Sequence, residues 1–433
     1  MVKFTNIFSD LKKINVLVAG DFMLDKYTYG KVERISPEAP VCVLKVEDES
    51  YKAGGAGNVV LNLLSLGANV KALGRLGKDL MGEMFKEDLK SNGADTTYVF
   101  EQENYITPIK NRFIADSQQI LRVDKEKNDP TSFEIEKEIE NKIDYILEDI
   151  HVVAISDYLK GFLSDRLLKL IIDKANEKNI PTIVDPKGIN FSKYKNASII
   201  KPNLQEAYLA AKLSKNESLE SVAKTIIKDT NAKNLIITRS QDGISLFTNG
   251  SHDHFKVVSK EVKDVTGAGD TVLATLSIAI GNKIDLKNSC ILSNVAASIS
   301  IEHIGCYRVS LKDLMKRFLE RSINNKIIDL DYFLVLKNIL TENEFSILSI
   351  KSKNEITTSI YKAIKDISSE RKLIVHINEN DYEEEFIDFL SSLNEISFII
   401  LPGKNSNKIL NEIGFSSFYS LEKNGSLIKT NSI

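Results

Sequence analysis

The chain has 433 residues, of which 42% are hydrophobic and 27% charged; it is too long for one ordinary core and too evenly mixed for a disordered or fibrous protein, so two domains are expected. A formal charge of −3 argues against a nucleic-acid coat or an acidic tail, and no run approaches the ~18 apolar residues of a membrane span. The opening MVKFTNIFSDLKK lacks an apolar signal core, and Cys42, Cys290 and Cys306 lack metal-ligand spacing, which together predict a cytoplasmic protein with reduced thiols.

From Ile14 to about Leu319, short apolar strands alternate with helical patterns, which predicts an α/β fold with a largely parallel sheet. The first strand is expected at Val16 to Ala19. Tyr27 to Val46 and Ile106 to Asp124 are rich in β-branched and aromatic residues without helical spacing, so they are expected to form a small separate β-layer, a lid over the sheet edge. Ile135, Ile139, Ile143 and Leu147 recur every four residues and place one apolar stripe on a helix. Further strands are expected at Val152 to Ser156, Thr182 to Asp185, Ile199 to Lys201 and Leu235 to Thr238.

The strongest chemical signal is Asp264-Val265-Thr266-Gly267-Ala268-Gly269-Asp270, followed by a helical pattern. Small residues at a helix start let backbone N–H groups approach a phosphate, whose charge the helix dipole favours. A carboxylate placed there can take a proton from an attacking hydroxyl. The same residues would also serve as a glycine-rich turn with an acidic first turn.

Residues 1 to 321 resemble a ribokinase-like (PfkB-type) carbohydrate kinase, with a three-layer α/β/α core and a small β-lid. The resemblance makes Gly267, Ala268 and Gly269 the anion hole and Asp270 the catalytic base for transfer of the ATP γ-phosphoryl to a sugar hydroxyl. Within that family the likeness is closest to the heptose-7-phosphate kinase part of the bifunctional enzymes that make ADP-heptose for lipopolysaccharide. Gly20 to Tyr27, the octet Arg34-Ile35-Ser36-Pro37-Glu38-Ala39-Pro40-Val41, Gly54 to Val59, Gln118 to Asp124, Ser156-Asp157-Tyr158, Val184 to Gly188, Lys201 to Glu206 and Thr238 to Ser240 carry it.

Asp21 and Asp25 follow a buried strand, where carboxylates can accept from sugar hydroxyls; a turn with Asp25 capping a helix is the alternative. Gly54, Gly55 and Asn58 sit at another expected helix start, which would permit close approach of a sugar or form a plain turn. A second phosphate on the sugar needs fixed positive charge, and Lys110, Arg112 and Arg122 on the expected lid strands would supply it unless they are solvated face charges. Asn203 and Glu206 match the pattern that the family places near magnesium and the nucleotide phosphates, where one carboxylate acting through water suffices for Mg2+; an Asn cap on a surface helix is the alternative. Thr238, Arg239 and Gly243 are expected to border ATP, and Lys187 and Lys160 to reach phosphates. His252 and His254 are read as a solvated turn.

After Ile327 acidic side chains outnumber basic ones, which predicts a linker at 322 to 326 and a second, smaller α/β domain over 327 to 433. Strands are expected at Phe345 to Ile350, Leu373 to Ile377 and Ile396 to Leu401, with helices near Glu355 to Ser368 and Glu383 to Leu393. The layout is similar to the nucleotidyltransferase half of the bifunctional enzymes. Lys351-Ser352-Lys353-Asn354 stands where that half carries His-x-Gly-His, and no glycine occurs between Ile327 and Pro402. A degenerate domain without adenylyltransferase chemistry is therefore expected, an unrelated α/β module being the alternative. The resemblance also implies a homodimer through the lids.

Overall fold

A computed structural model describes residues 11–116, 118–248, 250–257, 262–322, 326–328, 345–350, 358–378, 383–402, 410, 415–421 and 426–430. The chain divides into two compact units, Lys12–Leu314 and one that includes Met315–Ile433. The expected junction Lys351 to Asn354 and most of the 322 to 326 linker lie outside the described residues.

Lys12–Leu314 carries a nine-stranded sheet in the order β13 (Ser251–Phe255), β12 (Ile244–Thr248), β11 (Asn234–Thr238), β10 (Ile199–Ile200), β9 (Thr182–Asp185), β8 (Val152–Ser156), β1 (Asn15–Gly20), β4 (Asn69–Gly77), β5 (Asp95–Gln102). β11, β12 and β13 pair antiparallel, and every other neighbour pairs parallel. The central strands are continuous apolar runs because both faces are covered. Leu17, Ala19, Val153 and Ile155 enter a core with helices α3 (Phe133–Ile146), α4 (Asp165–Glu177), α5 (Leu204–Ala211) and α6 (Leu219–Thr230). The alternate residues Val16, Val18, Val152 and Ala154 are equally buried and point to the opposite face. There, helices α1 (Ala56–Ser65), α7 (Ala268–Gly281) and α8 (Leu286–Ser300) pack on one another and on the sheet. Helix α2 (Leu80–Ser91) lies against β5, and α9 (Leu311–Ser322) begins at the end of this unit.

The Ile135, Ile139 and Ile143 stripe is buried on α3, which Ser132 caps by accepting from the Ile135 N–H. Tyr27 to Val46 and Ile106 to Asp124 enter a separate four-stranded sheet, ordered β3 (Cys42–Gly55), β2 (Phe22–Ile35), β6 (Ile109–Ala115), β7 (Gln118–Lys125). Two local expectations are corrected. Asp25 lies within β2 and caps no helix. His252 and His254 sit on β13, because Ser251 to Phe255 pairs in register with β12 and His252 stacks on Phe247 with ring centroids 4.3 Å apart.

In the second unit, a six-stranded sheet runs β14 (Ile327–Ile328), β17 (Ile396–Ile400), β16 (Lys372–Ile377), β15 (Phe345–Ile350), β18 (Phe415–Leu421), β19 (Leu427–Thr430). All pairs are parallel except β18 with β19. Helices α10 (Thr358–Ser368) and α11 (Glu384–Ser392) bury Ile360, Ile364, Phe386 and Leu390 against it.

Candidate active site

In the first unit β1 meets β4 on one side and β8 on the other, so the connection direction reverses at β1. Ligands of open α/β sheets collect outside the carboxyl ends of the strands at such a point. Asp21, Asp157 and Asp185 lie at the ends of β1, β8 and β9.

Helix α7 begins beside them. Gly267 has φ +77°, which a non-glycine residue rarely adopts, and a Cβ there would lie 2.6 Å from Asn58 Nδ2. No side chain caps this helix; the Ala268 N–H turns back to the Val265 carbonyl at 3.3 Å, and the Gly269 N–H that follows in the first turn is open to an anion. Asp270 is buried at 4% exposure. Its Oδ2 accepts from Asn58 Nδ2 at 2.9 Å and its Oδ1 from the Tyr158 hydroxyl at 2.8 Å. Burial pushes this carboxyl up to about 6, with Asp185 adding to the rise, while the two hydrogen bonds and Lys201 pull it down. A carboxylate poised there is ionised near neutrality yet basic enough to receive a proton.

Asp21 and Asp25 have different surroundings. Asp21 accepts from the backbone N–H groups of Tyr158 (2.8 Å), Lys160 (3.0 Å) and Phe162 (3.2 Å) and holds the loop after β8. Burial raises its pKa, with Asp157 adding to the rise. Asp25 pairs with Arg112 and receives the Cys306 thiol at 3.7 Å. A Cβ on Gly54 would clash with the Asp25 carboxylate, and Gly55 has φ +56° where β3 turns into α1. A cavity of about 340 Å3 beside them is lined by Lys52, Asn58, Cys306, Tyr307 and Arg308, among others.

The cations expected on the small sheet are placed unequally. Lys110 Nζ lies 5.1 Å from the centre of the Tyr158 ring, and its pKa is lowered by burial and by Lys160 and Arg122. Arg112 packs over Tyr27 at 5.4 Å while holding Asp25. Arg122 stands opposite Arg112 in the β6–β7 register but is more exposed and forks onto Asp124 at 2.9 and 3.0 Å.

The expected nucleotide residues gather at the ends of β10 and β11. Asn203 and Glu206 form a capping box at the start of α5, each side chain accepting from the other's backbone N–H at 2.9 Å. Glu206 also pairs with Lys187. Asn203 bridges Thr238, and the Arg239 N–H donates to the Gly243 carbonyl at 2.7 Å. The Arg239 side chain faces Ser245 and His254 at 3.4 and 3.5 Å. Lys160 pairs with Glu126 at 2.6 Å.

Sequence reasoning missed four of these neighbours. Tyr158 stood in a quoted segment with no role assigned. Asp185 and Lys201, paired at 3.0 Å, flank Gly269, a Cβ on which would lie 3.9 Å from each. Their signal was position, at the carboxyl ends of buried strands. Cys306 carried no signal, since only folding brings it to Asp25 and Gly267.

The fold and this site define a carbohydrate kinase of the ribokinase-like class. The pfkB family carbohydrate kinase profile matches residues 13–314, and the chain belongs to that family. Its relatives include the bifunctional protein HldE of Trichlorobacter lovleyi, 40% identical over 313 residues, 72% of this chain and 64% of that protein. HldE of Campylobacter jejuni is 40% identical over 334 residues, 76% of this chain and 70% of that protein. HldE of Helicobacter hepaticus is 36% identical over 385 residues, 86% of this chain and 78% of that protein. The match to the Trichlorobacter relative thus spans less than two thirds of its length. Among solved structures, Arabidopsis thaliana ribokinase complexed with ribose and ATP superposes with TM-score 0.57 at 18% identity, covering 71% of this chain and 99% of that one. Phosphofructokinase-2 of Escherichia coli in complex with substrates and products gives 0.60 at 19%, covering 72% and 100%.

Proposed function

We propose that residues 1 to 321 are a kinase domain that transfers the γ-phosphoryl of ATP to the C1 hydroxyl of D-glycero-D-manno-heptose 7-phosphate, giving the 1,7-bisphosphate. The observation that carries this reading is Asp270, buried with an elevated pKa in the first turn of a helix without a side-chain cap. Its occurrence in a chain about 40% identical to HldE proteins favours the heptose substrate.

Ionised Asp270 takes the hydroxyl proton as the sugar oxygen bonds to the γ-phosphorus. The bond from that phosphorus to the β–γ bridging oxygen breaks, and ADP leaves with the electron pair. The N–H groups at Gly267, Ala268 and Gly269 stabilise charge on the moving phosphoryl. Asp21, Asp25, Gly54, Gly55 and Asn58 shape the sugar seat, with Lys110, Arg112 and Arg122 at its 7-phosphate. Burial beside other cations destabilises Lys110 as a bare charge, which a phosphate would relieve.

Asn203, Thr238, Arg239, Gly243 and Lys187 border ATP. Glu206 fits Mg2+ through water: its oxygens keep lone pairs beyond those used by Lys187 and the Asn203 N–H, and a hard cation on a triphosphate needs few protein ligands. When bound, the ion neutralises phosphate charge. Exposed Ile35, Val41, Val46, Ile120, Leu121 and Val123 on or beside the small sheet support its pairing with a second copy in a cytoplasmic homodimer.

Residues 327 to 433, after a 322 to 326 linker, are read as a nucleotidyltransferase-like domain without adenylyltransferase activity. The Helicobacter hepaticus match covers more of the chain than Lys12–Leu314 can supply, which supports kinship of this part. A phosphoryl-transfer screen over sugar phosphates, with product regiochemistry by phosphorus NMR, tests the kinase; another preferred acceptor or another phosphorylated hydroxyl rejects the substrate. Pyrophosphate release from ATP and heptose 1-phosphate would reject the silent second domain.

A further inference from the structure

Tyr158 is held at both ends. Its backbone N–H donates to Asp21 Oδ2 at 2.8 Å, and its hydroxyl donates to Asp270 Oδ1 at 2.8 Å. Asp21 is not simply a free acceptor facing the sugar. Its two oxygens receive three N–H groups of one loop, those of residues 158, 160 and 162, and that loop carries the Tyr158 side chain. Lys110 Nζ lies over the ring at 5.1 Å.

We propose that Tyr158, fixed by Asp21, is the positioning residue that orients the Asp270 carboxylate and biases it toward its ionised form. This rests on Asp270 being the base in the reading above. The phenol is kept protonated by desolvation of its hydroxyl, with Asp270 and Asp185 reinforcing the effect, so it acts as a donor. A donor on Oδ1 stabilises the carboxylate relative to the acid and fixes the plane in which Oδ2, held by Asn58, presents its remaining lone pair. The other groups facing Asp270 are Asp185 at the end of β9, Lys201 after β10 and Cys306 after α8. Asp185 opposes ionisation and Lys201 favours it. Among the described residues Tyr158 and Asn58 bond the carboxylate directly, and of these two it is Tyr158 that a second carboxylate, Asp21, anchors. The Asp21–Tyr158–Asp270 series therefore couples the end of β1 to the base at the start of α7.

The test uses the full chain and two variants. In Tyr158→Phe, the Asp270 carboxyl carbon, observed by 13C NMR and assigned by its loss in Asp270→Asn, should titrate about one pH unit higher, the size expected for one lost hydrogen bond to a charged group. The acid limb of kcat with ATP and heptose 7-phosphate should move up by the same amount, so turnover on that limb falls roughly tenfold, with KM for both substrates almost unchanged. Replacing Tyr158 by 3-fluorotyrosine, a stronger donor of nearly the same shape, should move both readings the opposite way and keeps the test alive if the Phe variant does not fold. An unmoved Asp270 titration, shifts of the same sign in both variants, or a loss confined to KM would overturn the proposal. Full turnover by Asp270→Asn would instead overturn the choice of base, whereas the carboxyl titration of the free protein still reads the Tyr158 bond.

Discussion

The two parallel sheets end differently. At the carboxyl ends of β1, β8 and β9, Asp21, Asp157 and Asp185 are each partnered: by backbone N–H groups, by Lys193 and Tyr194, and by Lys201. Beyond them an uncapped helix brings in Asp270. At the corresponding ends of β15 and β16, the described polar groups are neutral. His376 is buried at 3% exposure, faces Ser349 Oγ at 3.2 Å through Nδ1, and leaves Nε2 without a hydrogen-bond partner. Burial alone pulls this imidazole down to about 4. Both sheets present parallel strand ends, but among the described residues only the first lines them with charges held in tension. The lesson is that an α/β sheet offers a place for chemistry, and the balance between burial and compensation decides whether chemistry is installed there.

The sharpest way to break the comparison is Asp270→Asn, expected to lower turnover by about two to four orders of magnitude, the range for a lost general base, with ATP affinity intact by calorimetry. Near-normal turnover would reject Asp270 as the base. Gly267→Ala is expected to cost roughly ten- to a hundredfold in kcat, because a side chain at φ +77° meets Asn58 and disturbs its bond to Asp270; a stopped assay at saturating substrates reads this.

The pH profile sharpens it further. With the Asp270 pKa at about 6, kcat should be flat above neutrality and fall about tenfold per pH unit well below 6 as the base protonates. Lys110→Ala should raise KM for the sugar phosphate more than it lowers kcat, if it binds the 7-phosphate equally in ground and transition states. The smallest effect belongs to the second unit. Because His376 has a folded pKa of about 4 against an unfolded value near 6.5, the unfolded state binds more protons between these pH values. His376 therefore costs stability as pH falls through that window. A His376→Phe variant should lose this increment of acid sensitivity in pH-dependent urea melts and leave kinase turnover unchanged.

Local signals sufficed for much of the fold. The Ile135, Ile139 and Ile143 stripe, the continuous apolar run of β8 and the small-residue start of α7 each report on neighbours within a few positions, so the sequence displays them directly. The site was legible where chemistry and backbone coincide, as at Gly267 to Asp270. It was less legible where a side chain had a choice of partners. Asp25 and Arg112 were read as separate ligands of sugar and phosphate, yet the β2–β6 register sets Tyr27 opposite Arg112 and brings that guanidinium to Asp25. Asn58 was read toward the sugar, and the packing of α1 on α7 turns it onto Asp270.

The sequence by itself determined the alternation of strands and helices, the kinase lineage and the acid at the helix start, because each rests on residue order and near-neighbour spacing. Only the tertiary structure decided what holds each carboxylate. Asp21, Asp25 and Asp270 are alike in sequence chemistry. Folding binds Asp21 to three N–H groups and Asp25 to an arginine, and it gives Asp270 only two neutral donors deep in the protein. That difference in partners for the same loss of water sets Asp270 apart, and no linear spacing encodes it.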